Sequence, residues 1–210
     1  MKPSRRLFNA AAFLLAGLLA AVLSVTSAPP ARAERTSLRA ADPSVLRVGD
    51  TYVAVQSTGG GIAVRLAPST AALASAPARQ VWADTRGLGE VWAPEIVRDG
   101  GRYYIYFSAG RGAAHRMYVI SSAAPDSGCT AETRLALPDD KWAIDGTLFT
   151  FGGQRWFVWS GWAADTNVEQ NLYIARMSGP TTPTGGRYAV RPRRTAPLAA
   201  LERCAPHRPG

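Results

Sequence analysis

The feature that most constrains the fold of this chain is a hairpin pattern that recurs three times at nearly constant spacing. Each copy has a short apolar segment, a turn containing glycine or aspartate, and a second segment rich in β-branched and aromatic residues. The first aromatic residues after the three turns are Tyr52, Tyr103 and Trp156, so the steps are 51 and 53 residues. Such a period indicates a repeat architecture, in which neighbouring units bury one another's apolar faces.

Each repeat has the composition of antiparallel β-strands. Glycine and aspartate at the turns suit the left-handed backbone of tight hairpins, and the turns read Gly49-Asp50, Asp99-Gly100-Gly101 and Gly152-Gly153. A further short strand is predicted after each hairpin, at residues 61–65, 117–121 and 172–176. No stretch after residue 33 keeps a sustained 3.6-residue apolar period, so the body of the chain is predicted to lack long helices.

These observations predict an all-β chain that folds as a β-propeller, with one blade from each repeat. Residues 40–186 hold about three such units. A β-sandwich made from the same strands is the alternative. The period alone does not fix the number of blades in a closed ring.

Both ends of the chain differ from the repeats. A basic head that contains Arg5 and Arg6 precedes an apolar run, and Ala31-Arg32-Ala33 resembles a cleavage site. Residues 1–33 are therefore predicted to be a signal peptide for the Sec or the twin-arginine route. The mature protein is expected to be secreted, without stable membrane association once the signal is cleaved.

The other end, residues 187–210, is rich in proline and arginine and does not repeat the hairpin pattern. It is predicted to be a divergent, disordered tail. Residues 34–186 then form a partial propeller domain, and we expect a chain that stops before its fourth blade. Cys129 and the tail residue Cys204 leave a disulfide open as an alternative.

Charge argues against a nucleic-acid partner. The formal net charge is +9, but residues 34–186 contain 14 basic and 14 acidic residues, so the body is neutral. Phosphate-backbone binding needs a basic stripe, which a neutral body does not supply. Two cysteines and two histidines do not give a zinc-binding spacing, so neither a metal nor another cofactor is expected.

Two carboxylates occupy equivalent positions at the start of two hairpins. Asp42 precedes the first hairpin in Asp42-Pro43-Ser44, and Asp145 precedes the third in Asp145-Gly146-Thr147. Equivalent positions of two blades converge at one mouth of a propeller, so we expect both side chains in one pocket. A pair of carboxyl groups is what glycosidic hydrolysis requires. The alternative is that each aspartate only forms a turn, and that nearby tryptophans only pack between blades.

Several motifs, taken together and in order, resemble glycoside hydrolase family 43. They span residues 40–186 and read Ala41-Asp42-Pro43-Ser44-Val45, Val91-Trp92-Ala93-Pro94-Glu95-Ile96, Ala143-Ile144-Asp145-Gly146-Thr147, Trp159-Ser160-Gly161-Trp162 and Gln170-Asn171-Leu172-Tyr173-Ile174-Ala175. The resemblance implies a five-bladed propeller that hydrolyses arabinose- or xylose-containing saccharides of plant type with inversion. It implies that Asp42 is the general base and that Asp145 tunes the acid and orients the substrate.

The same resemblance places Trp92, Glu95 and Trp162 near the substrate. It also implies a general acid in a Glu-Gly-Pro-like motif of the fourth blade, and this sequence has no such motif. Loss of a general acid lowers the rate roughly 10²–10⁴-fold, so the chain is expected to be a family member with impaired activity. The alternatives are a glycan-binding propeller fragment without catalysis and a non-functional truncated product. His115 is interpreted as a surface or packing residue.

Overall fold

The computed structural model describes residues 38–190, which form three four-stranded antiparallel sheets in chain order. Blade 1 contains β1 (Ser44–Val48), β2 (Thr51–Ser57), β3 (Gly61–Ala67) and β4 (Arg79–Ala83). Blade 2 contains β5 (Glu90–Asp99), β6 (Arg102–Gly110), β7 (Arg116–Ser122) and β8 (Thr133–Arg134). Blade 3 contains β9 (Ala143–Phe151), β10 (Gln154–Trp162), β11 (Gln170–Gly179) and β12 (Thr182–Ala189).

This architecture confirms the all-β prediction and the count of about three blades. Three short 3₁₀ helices lie between strands, at Ala71–Ala74, Gly112–Ala114 and Pro138–Asp140. Within residues 38–190, no helix has the length and apolar character needed to cross a membrane. The predicted signal peptide, and Cys204 as the candidate partner of Cys129, lie outside the described residues.

The predicted hairpins form because their turns contain residues that accept a left-handed backbone. Gly49 has a φ of 58°, and the two-glycine turns at 100–101 and 152–153 also have positive φ at both positions. Each turn joins two strands that pair directly, with Val48 opposite Thr51 and Asp99 opposite Arg102. Turn chemistry therefore sets the register of the first two strands in every blade.

Each blade has a fourth strand that the sequence pattern did not locate. Strands β4, β8 and β12 are short or polar, and their exposed outer position leaves no alternating apolar pattern. β12 continues to Ala189, past the boundary that the sequence placed at residue 186. Arg187 lies over the ring of Tyr173 at 4.1 Å, and its Nε is 2.8 Å from an Asp139 carboxylate oxygen. The third blade is therefore longer than the motifs indicate.

Two apolar cores hold the three blades together. The first lies between blades 1 and 2 and contains Val55, Ile62 and Phe107. The second lies between blades 2 and 3 and contains Tyr106, Met117 and Phe157. The Tyr106 hydroxyl also donates a hydrogen bond to the Pro180 carbonyl at 2.7 Å, which ties blade 2 to blade 3. The first strands, β1, β5 and β9, lie side by side, with β5 in contact with both of the others.

Close packing makes Gly146 intolerant of a side chain. A Cβ at this position would lie 2.5 Å from Cζ of Phe157 and 2.8 Å from Cε of Met117, both in the second core. We expect Gly146→Ala to lower the free energy of unfolding by about 1–3 kcal/mol, the usual cost of overpacking a core. Urea denaturation measures this change. Gly179→Ala is the control, because a Cβ there meets no atom within 4 Å; equal effects of the two variants would contradict the packing.

Candidate active site

The three blades present equivalent residues where their first strands begin. Asp42, Ala93 and Asp145 have φ values of 46°, 42° and 53°. These values lie in the left-handed region, which residues other than glycine rarely adopt. Aspartate tolerates this region better than alanine, since its short polar side chain can bond locally. The hairpin alignment therefore holds in three dimensions, and alanine takes the aspartate position in blade 2.

Local irregularity of the sheets accompanies these residues. The β5–β6 ladder shifts register between Trp92 and Glu95, and the β9–β10 ladder shifts between Ile144 and Thr147. Ala93 and Asp145 lie at these two shifts. Bulges of this kind turn a strand and re-aim its side chains, and they are over-represented next to active sites.

The predicted residues Asp42, Asp145, Glu95 and Trp92 line one cavity of about 420 Å³. We call it the main cavity. Its remaining walls are apolar and come from Pro43, Ala93 and Ile144. Its size falls in the range of small-ligand sites, and it combines an aromatic wall with several carboxyl groups. The structure therefore brings together four of the five residues singled out from the sequence.

Burial and neighbouring charge raise the pKa of two carboxyl groups of the main cavity, those of Asp145 and Glu95. Burial raises the pKa of Asp145, and the charge of Asp42 raises it further. Burial also raises the pKa of Glu95, the charge of Asp145 adds to this, and a hydrogen bond from Ser44 opposes it. Ser44, which the sequence analysis did not single out, also accepts a hydrogen bond from the backbone N–H of Ile96 at 3.3 Å. Asp145 and Glu95 thus retain their protons to a higher pH than isolated carboxyl groups would.

The raised pKa of Asp145 makes a prediction about stability. Between its unfolded and folded pKa values the folded chain binds more protons, so stability falls as the pH rises through this window. Above the folded pKa, ionised Asp145 destabilises the fold. We expect Asp145→Asn to raise the thermal midpoint at pH 7 through a gain of less than about 1 kcal/mol, since the carboxyl group is only partly desolvated and much of the residue is still exposed to solvent. The gain should shrink as the pH falls toward the unfolded value of 3.8.

Asp165 is a control, for which the opposite change in the thermal midpoint is expected because its pKa is lowered. A hydrogen bond and the charge of Lys141 lower the pKa of Asp165, so its stabilising contribution is present at neutral pH and is lost as the pH falls. Asp165→Asn should therefore lower the midpoint at pH 7. A lower midpoint for Asp145→Asn at pH 7 would contradict the electrostatic description of the cavity.

Trp92 is held from behind by a buried histidine. The indole is 40% exposed, and its ring lies 3.9 Å from the ring of His115 in a stacked arrangement. His115 is fully buried, and its Nε2 is 3.5 Å from a carboxylate oxygen of Glu90. Burial lowers the pKa of His115, and Glu90 opposes this shift. His115 is therefore a packing residue behind the cavity wall, which is one of the two placements interpreted from the sequence.

The structure does not bring Trp162 to the main cavity. Trp162 is only 9% exposed and stacks on Trp142, with ring centroids 5.0 Å apart. Trp142 in turn lies edge-on to His115 at 6.4 Å and donates from its indole N–H to the Gly112 carbonyl. These rings form an aromatic layer behind Trp92, so Trp162 contributes to the support of the wall.

No group of three or more His, Cys, Asp or Glu side chains in residues 38–190 is arranged to hold a metal ion. The polar groups of the main cavity are three carboxyl groups around an apolar and aromatic surface. This combination can bind a neutral polyhydroxylated ligand, with carboxylates accepting hydroxyl hydrogens and the indole covering a C–H face. It can also activate a water molecule.

Comparison with known proteins finds relatives among arabinofuranosidases. An extracellular exo-α-(1→5)-L-arabinofuranosidase of Streptomyces avermitilis is 30% identical over 195 residues, and the match covers 82% of this chain and 40% of the relative's length. An α-L-arabinofuranosidase B of Pyricularia oryzae is 31% identical over 176 residues, and the match covers 76% of this chain and 36% of the relative's length. The chain therefore spans well under half the length of these two relatives.

Solved structures share the fold. The crystal structure of an α-L-arabinofuranosidase from Lactobacillus brevis superposes with a TM-score of 0.65 at 26% identity, covering 71% of this chain and 53% of that one. The three blades are thus of the five-bladed propeller type. The sequence profile of the glycosyl hydrolases family 43 matches residues 36–203, which include all described residues from 38 to 190. The chain belongs to glycosyl hydrolases family 43.

Proposed function

We propose that this chain hydrolyses arabinofuranosyl bonds in arabinose-containing polysaccharides or oligosaccharides, with inversion at the anomeric carbon. The observation that carries the proposal is the convergence of Asp42 and Asp145 on one cavity walled by Trp92. The names of the relatives, which are arabinofuranosidases, favour an arabinofuranoside over a xyloside.

In this mechanism Asp42 acts as the general base. Its carboxylate accepts a proton from a water molecule, and the water oxygen attacks the anomeric carbon from the face opposite the leaving oxygen. The bond to the leaving oxygen then breaks, which inverts the configuration. Asp145 orients the sugar hydroxyls, and its charge influences the neighbouring carboxyl group of Glu95. Trp92 covers one face of the sugar.

The leaving oxygen also needs a proton, for which the family resemblance implies a glutamate in a Glu-Gly-Pro-like motif of the fourth blade. An acidic phenol can leave as the phenolate, without this proton. Aryl glycosides of such phenols therefore report the contribution of Asp42 directly. The indole of Trp92 in the wall of the main cavity favours a second candidate function, binding of arabino-oligosaccharides without cleavage. Binding of these ligands together with no release of a dinitrophenol would favour this second function over the first.

Proton NMR of the first-formed sugar tests the proposal. Incubation of the purified chain with 2,4-dinitrophenyl α-L-arabinofuranoside should release β-L-arabinofuranose first, before it equilibrates with its other forms. The matched aryl β-D-xyloside should react more slowly. Initial release of the α-anomer would overturn inversion, and faster cleavage of the xyloside would overturn the assignment of the sugar.

Export is part of the proposal. The basic head, the apolar run and the Ala31-Arg32-Ala33 site support cleavage after residue 33 and release outside the cell. Mass spectrometry of the protein from culture medium should give an N-terminus at Glu34. An intact protein that stays in the cell pellet would contradict export.

A further inference from the structure

We propose that His115, in its neutral form, is the positioning residue that fixes the Trp92 indole in the wall of the main cavity; this inference rests on the proposed function. The indole is partly exposed, and the imidazole of His115 stacks on it with an angle of 26° between the ring planes. Stacking favours one relative orientation of two rings, so the imidazole limits how the indole can turn.

The backbone beside Trp92 does not fix the indole by itself. Trp92 still pairs with Ser108, but the β5–β6 ladder shifts register directly afterwards, before Glu95. Ala93, which lies in this shift, has a φ of 42°. The ladder is locally disrupted at such a point, so we assign the orientation of the indole to contacts of its own side chain.

His115 can hold the indole because its own position is fixed from several sides. It is fully buried and lies edge-on to Trp142, with ring centroids 6.4 Å apart. Its backbone carbonyl accepts hydrogen bonds from the N–H of Ala143 at 3.3 Å and from the guanidinium of Arg116 at 2.9 Å. A Cβ on Gly110 would lie 2.6 Å from Cα of His115, so this close approach requires glycine. A wall that is ordered before binding loses little entropy when a ligand arrives.

The surroundings of the imidazole select its neutral form. Nε2 lies 3.5 Å from a carboxylate oxygen of Glu90, and this contact assigns the ring proton to Nε2. Nδ1 is buried and has no hydrogen-bond partner among residues 38–190. A second proton would therefore place an unpaired N–H among aromatic rings, which costs free energy. Burial lowers the pKa of His115 accordingly, and Glu90 opposes this shift.

Glu90 is the charged group that contacts the imidazole. The charged side chains close in sequence to the contacts of His115 are Glu90, Arg111, Arg116, Asp140 and Lys141. Arg116 pairs with Asp140 at 3.1 Å, and Lys141 pairs with Asp165. The carboxyl groups of Asp42, Glu95 and Asp145 line the main cavity, and His115 does not. A change in the protonation of His115 is therefore transmitted through Trp92 and Glu90.

Isothermal titration calorimetry with α-1,5-arabinotriose tests this inference on variants of the purified chain. His115→Ala removes the support of the indole and should raise Kd at least about fivefold, while kcat for 2,4-dinitrophenyl α-L-arabinofuranoside stays within a factor of about two. His115→Phe keeps a ring against the indole and should keep Kd at pH 7 within about threefold of that of the unchanged chain. Tyr118→Ala is the control, because Tyr118 lies on β7 and stacks on Phe107 of the first core. It should leave Kd within about twofold, whatever it does to stability.

The pH dependence of Kd gives a second measurement. Protonation of His115 should loosen the indole, so Kd of the unchanged chain should rise as the pH falls from about 7 to about 4.5. Phenylalanine does not titrate, so this rise should be smaller in His115→Phe. The carboxyl groups of the main cavity titrate in both proteins, and the difference between the two therefore isolates His115.

The outcomes separate this inference from the proposed function. An unchanged Kd in His115→Ala, or an equal rise in Kd in His115→Phe and His115→Ala, would overturn the positioning role. A pH dependence that is identical in His115→Phe and the unchanged chain would overturn the requirement for the neutral form. Absence of both binding and cleavage by an unchanged chain with a cooperative thermal transition would overturn the proposed function itself.

Discussion

Replacing Asp42 by asparagine is expected to lower kcat for 2,4-dinitrophenyl α-L-arabinofuranoside by a factor of about 10²–10⁴, the usual contribution of a general base. The amide cannot accept the proton of the attacking water, whereas its size and hydrogen-bonding reach remain similar. Asparagine also tolerates the left-handed backbone, with a φ of 46°, that residue 42 adopts. The loss should therefore appear in kcat with little change in the thermal midpoint.

Asp50 offers the matched control for this experiment. It also belongs to blade 1, but it lies in the β1–β2 turn with a fully exposed side chain that interacts with Arg47. Asp50→Asn should keep the rate of the unchanged chain within a factor of about two, as expected for a surface site outside the machinery. An Asp42→Asn variant with unchanged kcat would remove Asp42 from the mechanism.

Removal of the Trp92 indole is expected to weaken binding of arabinotriose by about 10- to 100-fold, the scale of a central aromatic contact. Trp92 lines the main cavity, so Trp92→Ala deletes the aromatic part of its wall. It also exposes His115, which is buried against the indole. Titration monitored by calorimetry measures the change.

Trp156 is the control tryptophan. It is half-buried on blade 3 and lines a different hollow with Ile174, Arg176 and Tyr188. Trp156→Ala should leave the affinity for arabinotriose unchanged, whatever it does to stability. Equal losses of affinity in both variants would show that the effect of Trp92→Ala comes from general damage to the fold.

Much of the fold could be predicted from the sequence, because each hairpin has local signals that do not depend on the rest of the chain. The glycine turns set the register, and the strands next to them have alternating or continuous apolar residues. The outer strands could not be predicted, because they lack such local signals. β8 has two exposed residues, and β12 is mostly polar, so neither has a pattern that distinguishes it from a loop.

The site was predictable only where the repeat marked it. Asp42 and Asp145 occupy equivalent positions of two repeats, and this equivalence was visible in the sequence. Ser44 and His115 had no such marker, because their contacts with Glu95 and Trp92 join different blades or distant strands. Trp162 is the opposite case, a residue that the sequence marks but the structure does not place in the main cavity. Its motif predicts a place near the substrate, whereas its stacking on Trp142 buries it.

A crystal structure of the Asp42→Asn variant with arabinotriose would test the central claim most directly. We expect an arabinofuranosyl ring in the main cavity, between residue 42 and Asp145 and against the indole of Trp92. A saccharide bound on another surface, with the main cavity empty at saturating ligand, would contradict it.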